Sequence, residues 1–314
     1  MNAAPRVTVV TPSYNQSAFI EDTIRSVIEH DYPNIEYIII DGGSTDGSVD
    51  LIRKHEQHLA HWLSEPDEGQ ADAINKGWRR ASGEFVAWLN SDDILLPGSI
   101  AAAVDVMQER REVGLVYGDL ERLDVAGNHV RIDRYDEYQL VELVSKAHRI
   151  SQPGSVLRRS TVLEAGYLDP SLHFQMDLDL WIRVALRSQL AHCHRVVAGF
   201  RLHDQSKTSR ISEVAAADIV TIYDALFQRP DLPESLSRVR RQSWAAAHLY
   251  AARTQYGADN LPRAYRALFD ALRASPDVML DPGMLSFAAR LLVATALGGR
   301  RSRLATQLRR LRRR

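Results

Sequence analysis

GEFVAWLNSDDILLP, residues 83–97, sets five apolar residues, Phe85 to Leu89, directly ahead of Asn90, Ser91, Asp92 and Asp93. A run of that length and β-rich composition reads as a buried strand, so a pair of carboxylates is delivered to the end of a core strand. In open parallel sheets, ligands bind beyond the carboxyl ends of the strands, where loops converge and helix N-termini point outward. Two carboxylates held close repel each other unless a positive charge sits between them, and a divalent cation is the simplest such partner. An Asx turn leading to a helix N-cap near Pro97 or Gly98 accounts for the same residues, and on this stretch alone both readings stand.

Upstream, the chain repeats the pattern. Arg6–Thr11 predicts a strand that ends in Pro12, Ser13, Tyr14 and Asn15, and Ile20, Ile24, Val27 and Ile28 then mark one face of an amphipathic helix. A second strand, Glu36–Ile40, runs into the small-residue loop Asp41–Gly47, where backbone can approach a ligand closely. A helix over Ser48–His58, a short strand at His61–Ser64 and a helix over about Gln70–Ala81 complete a βαβαβαβ order. That order predicts a mostly parallel, doubly wound α/β sheet with four polar, acidic strand ends on one edge. Downstream, the expected elements are a helix from Gly98 to Glu109, a strand at Gly114–Tyr117, a hairpin arm at Gly127–Arg134, a strand at Ser151–Leu157, a helix from Asp177 and a strand at His192–Phe200. Residues 212–274 read as mostly helical, with breaks at Pro230, Pro233 and Gly257.

With 314 residues the chain holds one large α/β domain and an appendage. A lone cysteine, Cys193, makes no intramolecular disulfide and points to a reducing compartment. Met1–Pro5 is short and polar and does not read as a signal peptide, and there is no run of about twenty apolar residues to span a bilayer. The net charge of −1 hides an asymmetry, because eight arginines within residues 300–314 leave −9 on residues 1–299. The acidic body argues against nucleic acid as a partner. Met284–Leu297 is apolar and precedes those arginines. It reads either as an interfacial segment drawn to anionic lipid or as a terminal helix packed on the domain.

The succession VVTPSYNQ (9–16), IIIDGGSTDGS (38–48), SEPDEGQADAINKGW (64–78), FVAWLNSDDILLPGS (85–99), MDLDLWIRVA (176–185) and RLHDQSKT (201–208) resembles that of the family 2 glycosyltransferases. The resemblance covers about residues 6–210 in order. It implies a fold of the glycosyltransferase A type, a Rossmann-like, mostly parallel sheet flanked by helices, here with a helical C-terminal extension. The organisation it suggests is a nucleotide-sugar-binding and catalytic domain at 1–210, a helical region at 211–282, and an apolar then arginine-rich tail at 283–314. The activity it implies is transfer of a sugar, with inversion, from a nucleotide-diphosphate sugar to an acceptor hydroxyl. A glycan or glycolipid acceptor at the cytoplasmic face of the cell membrane suits the basic tail.

Residue by residue, Asp93 matches the family's metal-binding carboxylate and Asp92 the one facing the ribose or diphosphate. His203 is similar to a histidine that completes the metal site in many members, and Mn²⁺ or Mg²⁺ suits such donors. Asp177 matches the general base; a plain helix cap is its other reading, and Asp179, two positions on, is its rival. Thr11, Ser13, Tyr14, Asn15, Asp41, Asp72 and Asn90 complete the expected nucleotide contacts, with core-aromatic and helix-cap readings open for Tyr14 and Asn15.

Two departures stand out. Many relatives carry two adjacent acids where this chain has Asp41-Gly42, which leaves uracil, thymine and guanine open. The Gln-x-x-Arg-Trp motif and the membrane helices of processive members are also missing, so one sugar per acceptor is expected. The competing classes are a glycosyltransferase-like domain that binds nucleotide or lipid without turnover, and a sugar nucleotidyltransferase. The latter needs a glycine-rich basic signature after the first strand, and PSYNQ is not one.

Overall fold

The computed structural model describes residues 3–147, 150–207, 213–280 and 282–296. They divide into two compact units, one within Met1–Leu140 and Arg149–Ser209, the other within Val141–His148 and Arg210–Arg314.

The first unit opens as the sequence predicts, with β1 (Val7–Ser13), α1 (Ile20–Ile28), β2 (Ile35–Asp41), α2 (Ser48–Lys54), β3 (His61–Ser64), α3 (Gln70–Arg80) and β4 (Phe85–Trp88). β2 and β4 flank β1 and β3 lies beyond β2, all parallel, so their carboxyl ends share one edge. Every residue of β1 is buried, as a strand covered on both faces requires. Ile20, Ile24 and Val27 of α1 face this core. Close packing of α3 on β1 depends on Gly77, where a Cβ would come within 2.5 Å of Val10 Cγ1.

β5 (Ile94–Leu95), α4 (Ser99–Glu109), β6 (Val113–Leu123), β7 (His129–Asp133), α5 (Leu140–Ser145), β8 (Val156–Arg158), α6 (Arg159–Ala165), α7 (Met176–Ala185) and β9 (Gln189–Arg201) follow, all in the first unit except α5, which from Val141 on belongs to the second. The sheet has nine strands in the order β3-β2-β1-β4-β8-β6-β9-β5, with β7 paired to β6 as the expected hairpin arm. β5, β7 and β8 run against the other strands. The expected strand over Ser151–Leu157 shrinks to β8, because Pro153 has no amide hydrogen and Gly154 takes φ +74°. The helix from Ser48 stops at Lys54, and a 3₁₀ turn follows at Glu56–His58. α7 buries Leu180 and Val184 as well as Leu178, Trp181 and Ile182, so it sits in the core on more than one face.

In the second unit α8 (Glu213–Phe227), α9 (Glu234–Gly257), α10 (Leu261–Ala274) and α11 (Pro282–Ala296) form an all-helical body. Met284, Phe287 and Leu291 of α11 join Leu249, Ala252, Ala264 and Leu268 in its core. The described part of the apolar segment from Met284 is therefore a packed helix, with Leu285, Leu292 and Val293 left exposed. Leu297 and the arginine cluster lie outside the described residues. No helix among the described residues is long and apolar enough to cross a membrane.

Candidate active site

A cavity of about 780 Å³ opens at the carboxyl edge of the parallel strands, within the first unit. Sites for cofactor-sized ligands are of this order. Ser13 and Tyr14 from the end of β1, Asn90 and Asp92 after β4, and Asp177 in the first turn of α7 all line it. Strand ends deliver the first four of these groups, because each loop must turn outward there, and the start of α7 delivers Asp177.

Asn90 is fixed from three sides. It accepts from Gln70 Nε2 at 2.7 Å and donates to Gln152 Oε1 at 2.9 Å and to Asp93 Oδ2 at 3.2 Å. Gln152 in turn donates to the Trp88 carbonyl, and Lys207 Nζ donates to Gln70 Oε1, both at 2.9 Å. The result is a relay of amides from Lys207 to the end of β4. Gln70, Gln152 and Lys207, all on the cavity wall, were not anticipated as site residues. Gln152 came from a segment read as strand, and amides bear no local signal of a site.

The adjacent carboxylates part company. Asp93 is 1% exposed and does not line the cavity; its carboxylate accepts from Arg201 N and from Asn90 Nδ2, each at 3.2 Å. Burial, and then the negative charge of Asp92, push its carboxyl well above the usual range. Asp92 faces the cavity, and its Oδ2 lies 2.9 Å from His203 Nε2. Of the two adjacent carboxylates, it is Asp92 that His203 meets, while Asp93, expected beside it at a metal, turns to Arg201 N and Asn90. His203 is buried in the loop after β9, with its ring 4.5 Å from that of Phe19. Arg201 steadies this corner by donating to Asp22 Oδ2, to the Asp92 carbonyl and to the Val125 carbonyl.

These donors fit a small divalent cation. Two ligand atoms bound at ~2.1 Å and at right angles lie ~3.0 Å apart, close to the separation of Asp92 Oδ2 and His203 Nε2. Among the described residues, no group of three or more His, Cys, Asp or Glu side chains is arranged to hold a metal.

Asp41, expected at the nucleotide, is fully buried, and its carboxylate accepts five hydrogen bonds, from Ser13 Oγ, Gly43 N, Ser44 N, Ser44 Oγ and Ser64 Oγ. It ties the ends of β1, β2 and β3 together rather than facing the cavity. Thr11 is buried against the Tyr37 hydroxyl. Asn15, with φ +52°, accepts from Thr45 N. Asp72 pairs with Lys76 at 3.2 Å and accepts from Glu68 N at the start of α3. None of these four is on the cavity wall.

At the opposite wall, Asp177 accepts from Leu178 N at 2.8 Å. Asp179 points elsewhere and grips Arg183, whose Nε and Nη2 approach it at 2.8 and 2.5 Å, while Arg183 also donates to the carbonyls of Ala165 and Tyr167. That clamp anchors α7, and hence Asp177.

The profile of the family described as glycosyl transferase family 2 matches residues 8–164, half of the chain. The chain belongs to that family. Among curated members it is similar to the putative teichuronic acid biosynthesis glycosyltransferase TuaG of Bacillus subtilis, with 40% identity over 114 residues, which is 35% of this chain and 44% of TuaG. That match spans less than half of TuaG's length.

The fold is similar to that of S. aureus TarS residues 1–349, solved in complex with UDP-GlcNAc, with a TM-score of 0.67 and 18% identity over 87% of this chain and 82% of that one. It is also similar to the mannosyltransferase PcManGT of Pyrobaculum calidifontis, solved with GDP-Man and Mn²⁺, with a TM-score of 0.63 and 20% identity over 94% and 87% of the two chains. This family 2 chain has the glycosyltransferase A type of fold.

Proposed function

We propose that this family 2 protein is a metal-dependent, inverting glycosyltransferase that moves a single sugar from a nucleotide-diphosphate sugar to a hydroxyl of a cell-envelope glycan or glycolipid. The observation that supports this reading is one cavity with a half-buried carboxylate, Asp177, on one wall and the Asp92–His203 donor pair at another. The likeness to TuaG and TarS supports the envelope acceptor, and PcManGT, solved with Mn²⁺, supports the metal.

Asp177 takes the proton from the acceptor hydroxyl as that oxygen attacks the anomeric carbon. The nucleoside diphosphate leaves from the opposite face, so a single displacement inverts the centre. Asp92 and His203 would hold Mn²⁺ or Mg²⁺, which when bound supplies charge stabilisation at the departing diphosphate. Asp93, behind Asp92, positions the turn. Ser13, Tyr14 and Asn90 bound the donor, and Arg183 holds Asp179 so that Asp177 stays directed at the acceptor.

In this reading residues 1–210 bind donor and catalyse. The helical remainder serves attachment at the cytoplasmic face of the membrane, through the exposed Leu285, Leu292 and Val293 and the arginines that follow in sequence.

The test is calorimetric binding of UDP, dTDP and GDP to the full chain, with and without Mn²⁺. At least one nucleotide should bind in a metal-dependent way, and its sugar conjugate should be slowly hydrolysed. If none binds under either condition, the donor site is wrongly assigned and the transferase reading falls.

A further inference from the structure

Glycine at position 42 leaves a question of chemistry at the cavity: which group meets the edge of the nucleobase. The wall at this end is made by Pro12, Ser13, Tyr14, Gly42, Pro66 and Asp67. Prolines have no amide hydrogen to give, and the Ser13 hydroxyl already donates to Asp41 at 2.9 Å. Asp41, with five donors on its carboxylate, faces away. Tyr14 is 62% exposed and offers a ring face. Asp67 is thus the one carboxylate among these six residues.

Asp67 stands where a side chain from position 42 would stand. A Cβ built on Gly42 would come 2.7 Å from Asp67 Oδ2, closer than real Cβ contacts allow, and 3.1 Å from its Cγ. A side chain at 42 would therefore force the Asp67 carboxylate to move from this position. The Asp67 carboxylate is held by a tight turn, Oδ1 accepting from Gly69 N at 2.8 Å, with Gly69 at φ +111°, where a side chain is strained. Oδ2 is the oxygen turned toward Gly42 and the cavity wall.

We propose that Asp67 reads the nucleobase, accepting a hydrogen bond from a ring N–H, and that Gly42 keeps open the space this carboxylate needs. Uracil and thymine present such a hydrogen at N3 and guanine at N1. Cytosine and adenine present a lone pair at the matching ring position, which a carboxylate repels. Donors are thereby restricted to uridine, thymidine or guanosine diphosphate sugars. The inference rests on the donor-site reading above and adds to it the group that selects the base.

The experiment measures Kd for UDP, dTDP, GDP, CDP and ADP with Mn²⁺ on the full chain, for wild type, Asp67→Asn and Gly42→Ala, with thermal unfolding of each. Wild type should favour UDP over CDP or GDP over ADP. Asp67→Asn keeps an oxygen for Gly69 N but can turn an amide N–H2 to the base, so that preference should fall about tenfold or more. Gly42→Ala should displace Oδ2 and weaken the same nucleotide while Asp67 is intact. An Asp67→Asn variant that unfolds at the wild-type temperature and keeps the wild-type preference would overturn the proposal. So would a wild type that prefers CDP or ADP. Wild type binding no nucleotide at all would instead overturn the donor-site reading itself, and this proposal with it.

Discussion

Replacing Asp92 and Asp93 separately by alanine should produce different phenotypes in ligand binding, although the residues are adjacent. Asp93 is 1% exposed and accepts from the amide of Arg201, itself 3% exposed. Asp93→Ala leaves that N–H buried without an acceptor, at a cost of about 1–3 kcal/mol. Asn90 keeps its bonds to Gln70 and Gln152, so its loss is smaller. The burden of a buried carboxylate whose charge is disfavoured disappears, which offsets part of the cost. A net of about 2 kcal/mol corresponds to a fall of roughly 4–8 °C in the unfolding temperature of a unit of about 200 residues. The Asp92 side chain is 17% exposed and its contact is with His203. Its removal leaves the buried His203 Nε2 without that partner, which should likewise cost about 1–3 kcal/mol.

Ligand-induced stabilisation is what separates the two. At a hundred times Kd, Mn²⁺ with UDP, or with whichever nucleotide binds, stabilises the folded state by about 2.7 kcal/mol. Asp93→Ala should retain most of that shift, whereas Asp92→Ala should lose its metal-dependent part. Thermal unfolding of the three proteins with nucleotide, with and without Mn²⁺, reads both effects. If Asp92→Ala kept the Mn²⁺-dependent shift while a folded Asp93→Ala lost it, the assignment of the cavity-facing carboxylate would be reversed.

Asp177→Asn preserves the acceptor for Leu178 N and the shape of the wall, so nucleotide affinity should hold while kcat falls by about 10²–10⁴; an unchanged kcat would remove Asp177 as the base. Acid sensitivity should centre in part on Asp46, where burial pushes the carboxyl up but hydrogen bonds from Ser48 and Ser17 prevail and hold it at about 2. A folded value below the usual 3.8 means its contribution to stability is present above about pH 4 and is lost as the pH falls toward 2. Asp46→Asn should therefore lose less stability between pH 6 and pH 3 than wild type, measured as urea midpoints, and an identical loss would contradict the linkage.

Local residue patterns specify the parallel half of the fold and the edge on which the site forms. Apolar runs of strand length, each followed by Gly, Ser, Asn or Asp, specify where β1 to β4 end, and alternation with amphipathic helices specifies that the ends share one side. That logic is local, and it puts Ser13, Tyr14, Asn90 and Asp92 at strand ends, where they line the cavity, whereas Asp177 is singled out only by the family resemblance.

What a carboxylate does once it reaches that edge was decided by partners remote in the chain. Asp93 turns inward to the Arg201 amide, 108 residues away, and Asp92 meets His203, 111 residues away, a choice between neighbours that no periodicity encodes. Asp41 looks like a ligand residue until Ser13 and Ser64 close around it. β8 inserts antiparallel between β4 and β6, and the two residues of β5 count as a strand only because β9 arrives to pair with them. Hydrogen-bond partners and cavity walls depend on which segments meet across the sheet, and only the folded chain brings those segments together.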